Sequence, residues 1–211
     1  MNRKLWLLVA VGCLECFSFW AANAYPNSNR ARSRVVWITQ KGAALGWDDK
    51  AWDQRANGSI VASMLEQSVR ALAGQATIKD AWDYLFIQHN NGSDYKAGEK
   101  IAIKINNNNH CSYQHTTDHC PLPQVLVPLL SQLINHKGVQ QSDITIFDVS
   151  RGVPDYIVDT VKRIFPFVRF GAANHCSSQT VFGAKLSQDL VNAKYLINMP
   201  LLRTHFMAGA T

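Results

Sequence analysis

The sequence contains neither the Gly-x-Gly-x-x-Gly run of dinucleotide-binding turns nor a phosphate-cradling P-loop, so neither mode of nucleotide binding is expected. A basic stripe interleaved with aromatics is missing too. The formal charge of +6 comes from residues scattered along the chain, among them Lys41, Arg55, Arg70, Lys79, Lys104, Lys162, Arg163 and Lys185. Such an excess suits an anionic small molecule, and without clustering it does not mark a nucleic-acid surface. Long apolar runs are also lacking: the one at the start, Leu5–Leu14, falls well short of the ~20 residues that cross a bilayer. Cysteine is scarce. Beyond residue 24 only Cys111, Cys120 and Cys176 remain, and they form no Cys-x2-Cys run, so no iron–sulfur cluster is supported. An odd set permits at most one internal disulfide, with Cys111–Cys120 the natural pair in an oxidising compartment and one thiol left over. No recognisable nucleophile–base–acid set stands out.

What is present is a chain of 211 residues, 47% of them apolar, enough for one domain with a real core. Residues 1–24 read as an export signal: Arg3 and Lys4 form the charged start, and Ala22-Asn23-Ala24 supplies a small-x-small cleavage site. Glu15 interrupts the apolar segment, which argues against a spanning helix. The expected location is therefore periplasmic or extracellular, with no stable membrane span after cleavage; the alternatives are an uncleaved N-terminal anchor and lipid attachment at Cys13. A polar linker occupies 25–34, and an α/β domain fills 35–211.

Within that domain "VVWIT" (Val35–Thr39) reads as a first strand. Ile60, Val61, Met64, Leu65, Val69 and Leu72 follow at helical spacing, stopped by Gly74. Thr77 and Asp80 resemble a capping box that opens a second helix with Ile78, Ala81, Trp82, Leu85 and Phe86 on its apolar face. "EKIAIKIN" is a strand with Ile101, Ile103 and Ile105 on one side, "PLPQVLVPLLSQLINHKG" a helix that Pro128 should kink, and "DITIFDVS" a strand covered on both faces. Strand, long helix and strand make a βαβ unit with parallel strands. A helix at "VPDYIVDTVKRIF", a short strand "FVRF", helical turns at "LSQDLVNA" and a strand "KYLINM" complete a second round. The expectation is an α/β, doubly wound, mostly parallel sheet.

In such sheets ligands bind where connections leave the carboxyl ends of the strands. Four loops qualify: "NNNNHCSYQHTTDHC", "SRGVPD", "GAANHCSSQ" and "PLLRTHFMAGAT". In the first, His110, His115 and His119 are candidate ligands for a metal ion, since imidazole suits zinc or copper, although the spacing matches no standard zinc frame; a polar loop held by a disulfide is the other reading. Lys104, opposite the isoleucines, is placed to neutralise an anion or simply to face solvent. Asp148, ending an apolar strand, needs a partner or a ligand, and Arg151 is the nearest cation in sequence. His205 is an acid/base candidate because its ordinary pKa lies near neutrality.

The segments "GEKIAIKINNN", "PLPQVLVPLLSQLINHKGV", "DITIFDVSR" and "AKYLINMPLLRTHFMAGAT" together resemble the bacterial domain of unknown function family 362, over roughly residues 95 to 211. Lys104, Asn106, Asp148, Pro200, Arg203, Thr204, His205 and Thr211 occupy the places of that family's motifs, with Arg203 where lysine is usual, a change that keeps the charge and loses the amine's reactivity. A more distant similarity links the terminal segment to the cofactor pocket of nickel-pincer lactate racemases. The convergence of the strand-end loops predicts a ligand site in which Lys104, Asp148 and His205 act on the bound molecule while Asn106, Arg151, Arg203 and Thr204 hold it. The resemblance implies a domain truncated at its C-terminus, because the terminal motif is cut in the middle. The functional expectation is an exported protein that binds an anionic small molecule or a metal-containing cofactor at the strand ends, with catalysis there. Non-catalytic capture by a periplasmic or surface protein, or an inactive fragment of a longer chain, are the alternatives.

Overall fold

A computed structural model of the chain describes residues 34–45, 54–107, 121–181 and 183–200, together with the backbone at 7–8, 204–205 and 209–210. Its centre is a sheet of β1 (Leu7–Leu8), β2 (Ile101–Ile105), β3 (Ile144–Phe147), β4 (Arg169–Phe170) and β7 (Tyr195–Met199), in the order β1-β7-β2-β3-β4. Every pairing between these strands is parallel. The result is a mixed α/β fold.

Each helix follows from a local signal. Helix α1 (Gly58–Ala73) starts where the Asn57 side chain accepts from the Ile60 N–H, and ends where Gly74 turns left-handed at φ 68°. Arg34 donates to the Ala71 and Leu72 carbonyls at 3.1 and 2.9 Å, completing that C-terminus. Helix α2 (Ile78–His89) opens on the expected cap: Thr77 Oγ1 accepts from the Asp80 N–H and donates to the Asp80 carboxylate at 2.7 Å. Helix α3 (Pro123–Ser131) carries Pro128 inside it and widens over Gln132–His136 into a π turn, closed by the Lys137 N–H on the Gln132 carbonyl. That turn seats the Gln132 side chain inside the core, where its oxygen accepts from the Trp82 indole at 3.1 Å. Helix α4 (Asp155–Ile164) buries Tyr156, Ile157 and Val161.

The faces of the sheet are covered unequally. Ile101, Ile103, Ile105, Ile144, Ile146, Tyr195, Ile197 and Met199 share one large core with side chains from α1, α2, α3 and α4. A smaller cluster unites Ala102, Phe147, Ala193 and Leu196, with Leu190 of α5 (Gln188–Asn192) packed on it. Before α5 comes an antiparallel hairpin, β5 (Cys176–Val181) and β6 (Ala184–Ser187), whose first strand takes up the end of the expected loop "GAANHCSSQ". β8 (Thr204–His205) and β9 (Gly209–Ala210) form a separate antiparallel pair.

Two expectations are corrected. Val35–Thr39 forms no strand: the segment has no regular structure, with Val35 88% and Trp37 57% exposed. Its β-branched residues favour extension, but a strand needs a neighbouring strand to pair with, and Arg34 ties this stretch to α1 instead. "LSQDLVNA" is helical only over Gln188–Asn192, because Leu186 and Ser187 belong to β6.

The amino edge of the sheet carries a saturated polar network. Asp143, 1% exposed, accepts from the Tyr95 hydroxyl, the Gly98 N–H and the Lys100 ammonium, each at 2.6 Å. Burial works to raise the Asp143 carboxyl, but Lys100, Tyr95 and Gly98 outweigh it, so the group ionises below its ordinary range. The Tyr95 phenol is pushed up to about 12 by burial and by its bond to Asp143. Beside it, Glu99 takes the Lys194 ammonium and the Tyr195 hydroxyl, and the enclosed Lys137 bridges Asp83 and Asp94.

Candidate functional site

The opposite, carboxyl edge is where the four loops leave, and the strand order makes one place on it special. From β2 the chain steps outward to β3 and then β4, and returns to lay β7 on the other side of β2. The order of strands thus reverses between β2 and β7, and in open parallel sheets such a reversal is where ligands bind outside the carboxyl ends. Lys104 of β2 and Asn198 of β7 are direct register partners there. Alternation puts both on the face of Ala102 and Leu196, away from the isoleucine core. Lys104 is half-buried and makes no ion pair or hydrogen bond among the described residues. Asn198 Oδ1 is buried without a donor.

Asp148 has a different surrounding. Its carboxylate accepts from the Asn107 N–H at 3.0 Å, from the Ser150 and Arg151 N–H groups at 2.9 and 3.1 Å, and from the Ser150 hydroxyl at 3.3 Å. The partner sought in the Arg151 side chain is thus met by that residue's backbone amide. These bonds clamp the end of β2 to the turn after β3. Asn107, 2% exposed, adds a second tie by donating Nδ2 to the Gly152 carbonyl at 3.0 Å, while its Oδ1 has no donor.

A further group on the Lys104 face was not singled out from sequence. Phe147 is the register partner of Lys104 on β3. Over Phe147 lies Gly171, whose N–H donates to the Ile146 carbonyl at 2.9 Å. A Cβ on Gly171 would sit 2.5 Å from Asp189 Oδ2 and 2.7 Å from Phe147 Cβ, so only glycine lets the carboxylate in. Asp189 Oδ2 is buried without a hydrogen bond, and His175 Nδ1 faces it at 3.7 Å. "GAANHCSSQ" signalled this histidine only as a member of a polar loop; Asp189, in a short helix, gave no signal.

Of the residues expected to converge, Lys104 and Asp148 stand at the ends of neighbouring strands, the first on the face of Ala102 and Leu196 and the second engaged in the loop clamp. Asn106 directly follows β2. Thr204 and His205 form β8 as backbone. His110, His115, His119, Arg203, Cys111, Cys120 and Thr211, and the export signal apart from Leu7–Leu8, lie outside the described residues. Among the described residues no group of three or more His, Cys, Asp or Glu side chains is gathered to hold a metal ion, and Cys176 is an exposed free thiol. Comparison with known protein families, curated proteins and solved structures finds no match for this chain.

Proposed function

We propose that this chain is an exported α/β protein that binds a small anionic molecule at the carboxyl edge of its sheet, in the crevice between β2 and β7. In this reading the sheet is doubly wound: βαβ units run outward from β2 through α3 and α4 on one face, and the return through α5 to β7 crosses the other. The observation that carries the proposal is the pairing of Lys104 with Asn198 at the reversal of strand order, with neither side chain committed to a described neighbour. A half-buried lysine with no described partner is placed to meet an incoming counter-charge. The loop clamp around Asp148 supports the reading, because it holds rigid the backbone from which Lys104 and Asn106 project.

The test is calorimetric titration of the full chain with acetate, glycolate, citrate and inorganic phosphate. At least one anion should bind, and Lys104→Met should weaken it roughly tenfold or more, about 1.4 kcal/mol. Equal affinity in Lys104→Met, or no binding of any of these anions, would sink the proposal.

A further inference from the structure

We propose that Asp189 fixes His175 as the Nδ1–H tautomer, so that a bare Nε2 lone pair stands at the carboxyl edge as the proton acceptor for a hydroxyl-bearing anion held by Lys104. The tautomer follows from geometry alone; the identity of the proton donor rests on the anion-binding reading above.

Backbone bonds from three elements pin the loop that carries His175. Gly171 hangs from the Ile146 carbonyl, Asn174 donates to the Val149 carbonyl at 3.2 Å, and the Gln188 N–H at the head of α5 donates to the His175 carbonyl at 2.9 Å. Asn174 is held left-handed at φ 57°, a conformation uncommon outside glycine that turns the chain back toward α5. His175 is therefore set in place rather than trailing on a loose loop.

A neutral imidazole has one N–H and one lone pair. Asp189 Oδ2 is buried, has no other donor, and faces Nδ1 at 3.7 Å. A lone pair on Nδ1 would point at a carboxylate oxygen, whereas an N–H there meets it favourably. A small ring rotation then closes the gap to hydrogen-bond length, as hydrogen bonds of this kind tighten when a ligand arrives. The proton being on Nδ1, Nε2 is bare, and the side chain is 53% exposed, so the free edge of the ring is open to a ligand. A histidine oriented from behind by a carboxylate is the arrangement that prepares a general base.

The place fits the ligand site. Phe147 lies between Gly171 and Lys104, and with strands ~4.8 Å apart the Asp189 carboxylate is on the order of 10 Å from Lys104 Cβ, a gap that two side chains and a small molecule span. In the step proposed, a ligand O–H bond breaks and an Nε2–H bond forms. The electron pair stays on the ligand oxygen, whose charge Lys104 offsets, and the imidazolium charge is shared with Asp189. No oxidant or reductant is required.

Long-range nitrogen–proton NMR on the full chain, labelled at histidine and held above the ordinary histidine range, reads the tautomer without any ligand. His175→Gln assigns the resonances. The expected result is a protonated Nδ1 and a bare Nε2 at His175, with the proton moving toward Nε2 in Asp189→Asn. An Nε2–H tautomer in the native chain overturns the proposal whether or not the variant folds, as does an unchanged tautomer in folded Asp189→Asn. Glycolate should shift the Nε2 resonance and acetate should not, and Lys104→Met should abolish the response. If both acids bind through Lys104 and neither moves Nε2, His175 is not the acceptor although the anion site stands. If neither binds, the anion reading fails while the tautomer remains readable by itself.

Discussion

The two edges of one sheet are built on opposite plans. At the amino edge Glu99, Lys100, Lys137, Asp143 and Lys194 are all paired, and the buried Asp143 carboxylate takes three donors. At the carboxyl edge Asn107 Oδ1, Asn198 Oδ1 and Asp189 Oδ2 are buried without a donor, and Lys104 lacks a counter-ion among the described residues. Unmet buried acceptors cost stability, so their concentration at one edge separates the part that holds the fold from the part to which we assign the binding site.

The largest test of that contrast is Asp143→Ala. Three donors lose their acceptor, and urea unfolding should show a loss of about 3 kcal/mol. The same edge sets the acid limit. Asp143, Glu99 and Asp83 all ionise below their ordinary range when folded. Their contribution is therefore complete above the unfolded carboxylate range near pH ~4 and is lost as pH falls through the lowered folded values. Circular dichroism across an acid titration should show unfolding below that range, and Asp143→Asn should move the midpoint upward.

At the carboxyl edge Asp148→Ala should cost about 2 kcal/mol, since it frees three backbone amides and unties the loops. Hydrogen exchange should quicken at Asn107, Ser150 and Arg151 before it does elsewhere. Gly171→Ala should cost about 1–2 kcal/mol in thermal melts, because the new methyl collides with Asp189 and Phe147. Smallest is Asn198→Leu. An acceptor that has no donor is lost without penalty, so stability should stay within about 0.5 kcal/mol of the native chain while anion binding weakens. A large loss in Asn198→Leu would erase the distinction between the edges.

Much of the scaffold was legible in the residues. Ile101, Ile103 and Ile105 alternate with Ala102 and Lys104, and as that period requires the isoleucines enter the large core while Ala102 joins the smaller cluster on the other face. Thr77 and Asp80 cap α2 as their spacing indicates. What escaped has physical reasons. Cys176–Val181 is mostly exposed, so no apolar alternation marked it as a strand. The partners of Asp148 are backbone amides, which carry no side-chain signature. Tyr95, Lys100 and Asp143 meet only because β2 and β3 lie side by side, and nothing local announces that neighbour. The same holds for Asp189 and His175, brought together by a turn whose key residue is an asparagine in a glycine-like conformation.

Leu7 and Leu8 pair along β7 opposite Ile197 and Asn198, so two residues of the segment that would be discarded on export cover the outer rail that β7 presents. A polypeptide starting at Tyr25 would leave that rail with unpaired amides and carbonyls facing outward, ready to zip onto a like strand from another molecule. Light scattering on chains with and without the first 24 residues should find the shorter one more prone to self-associate.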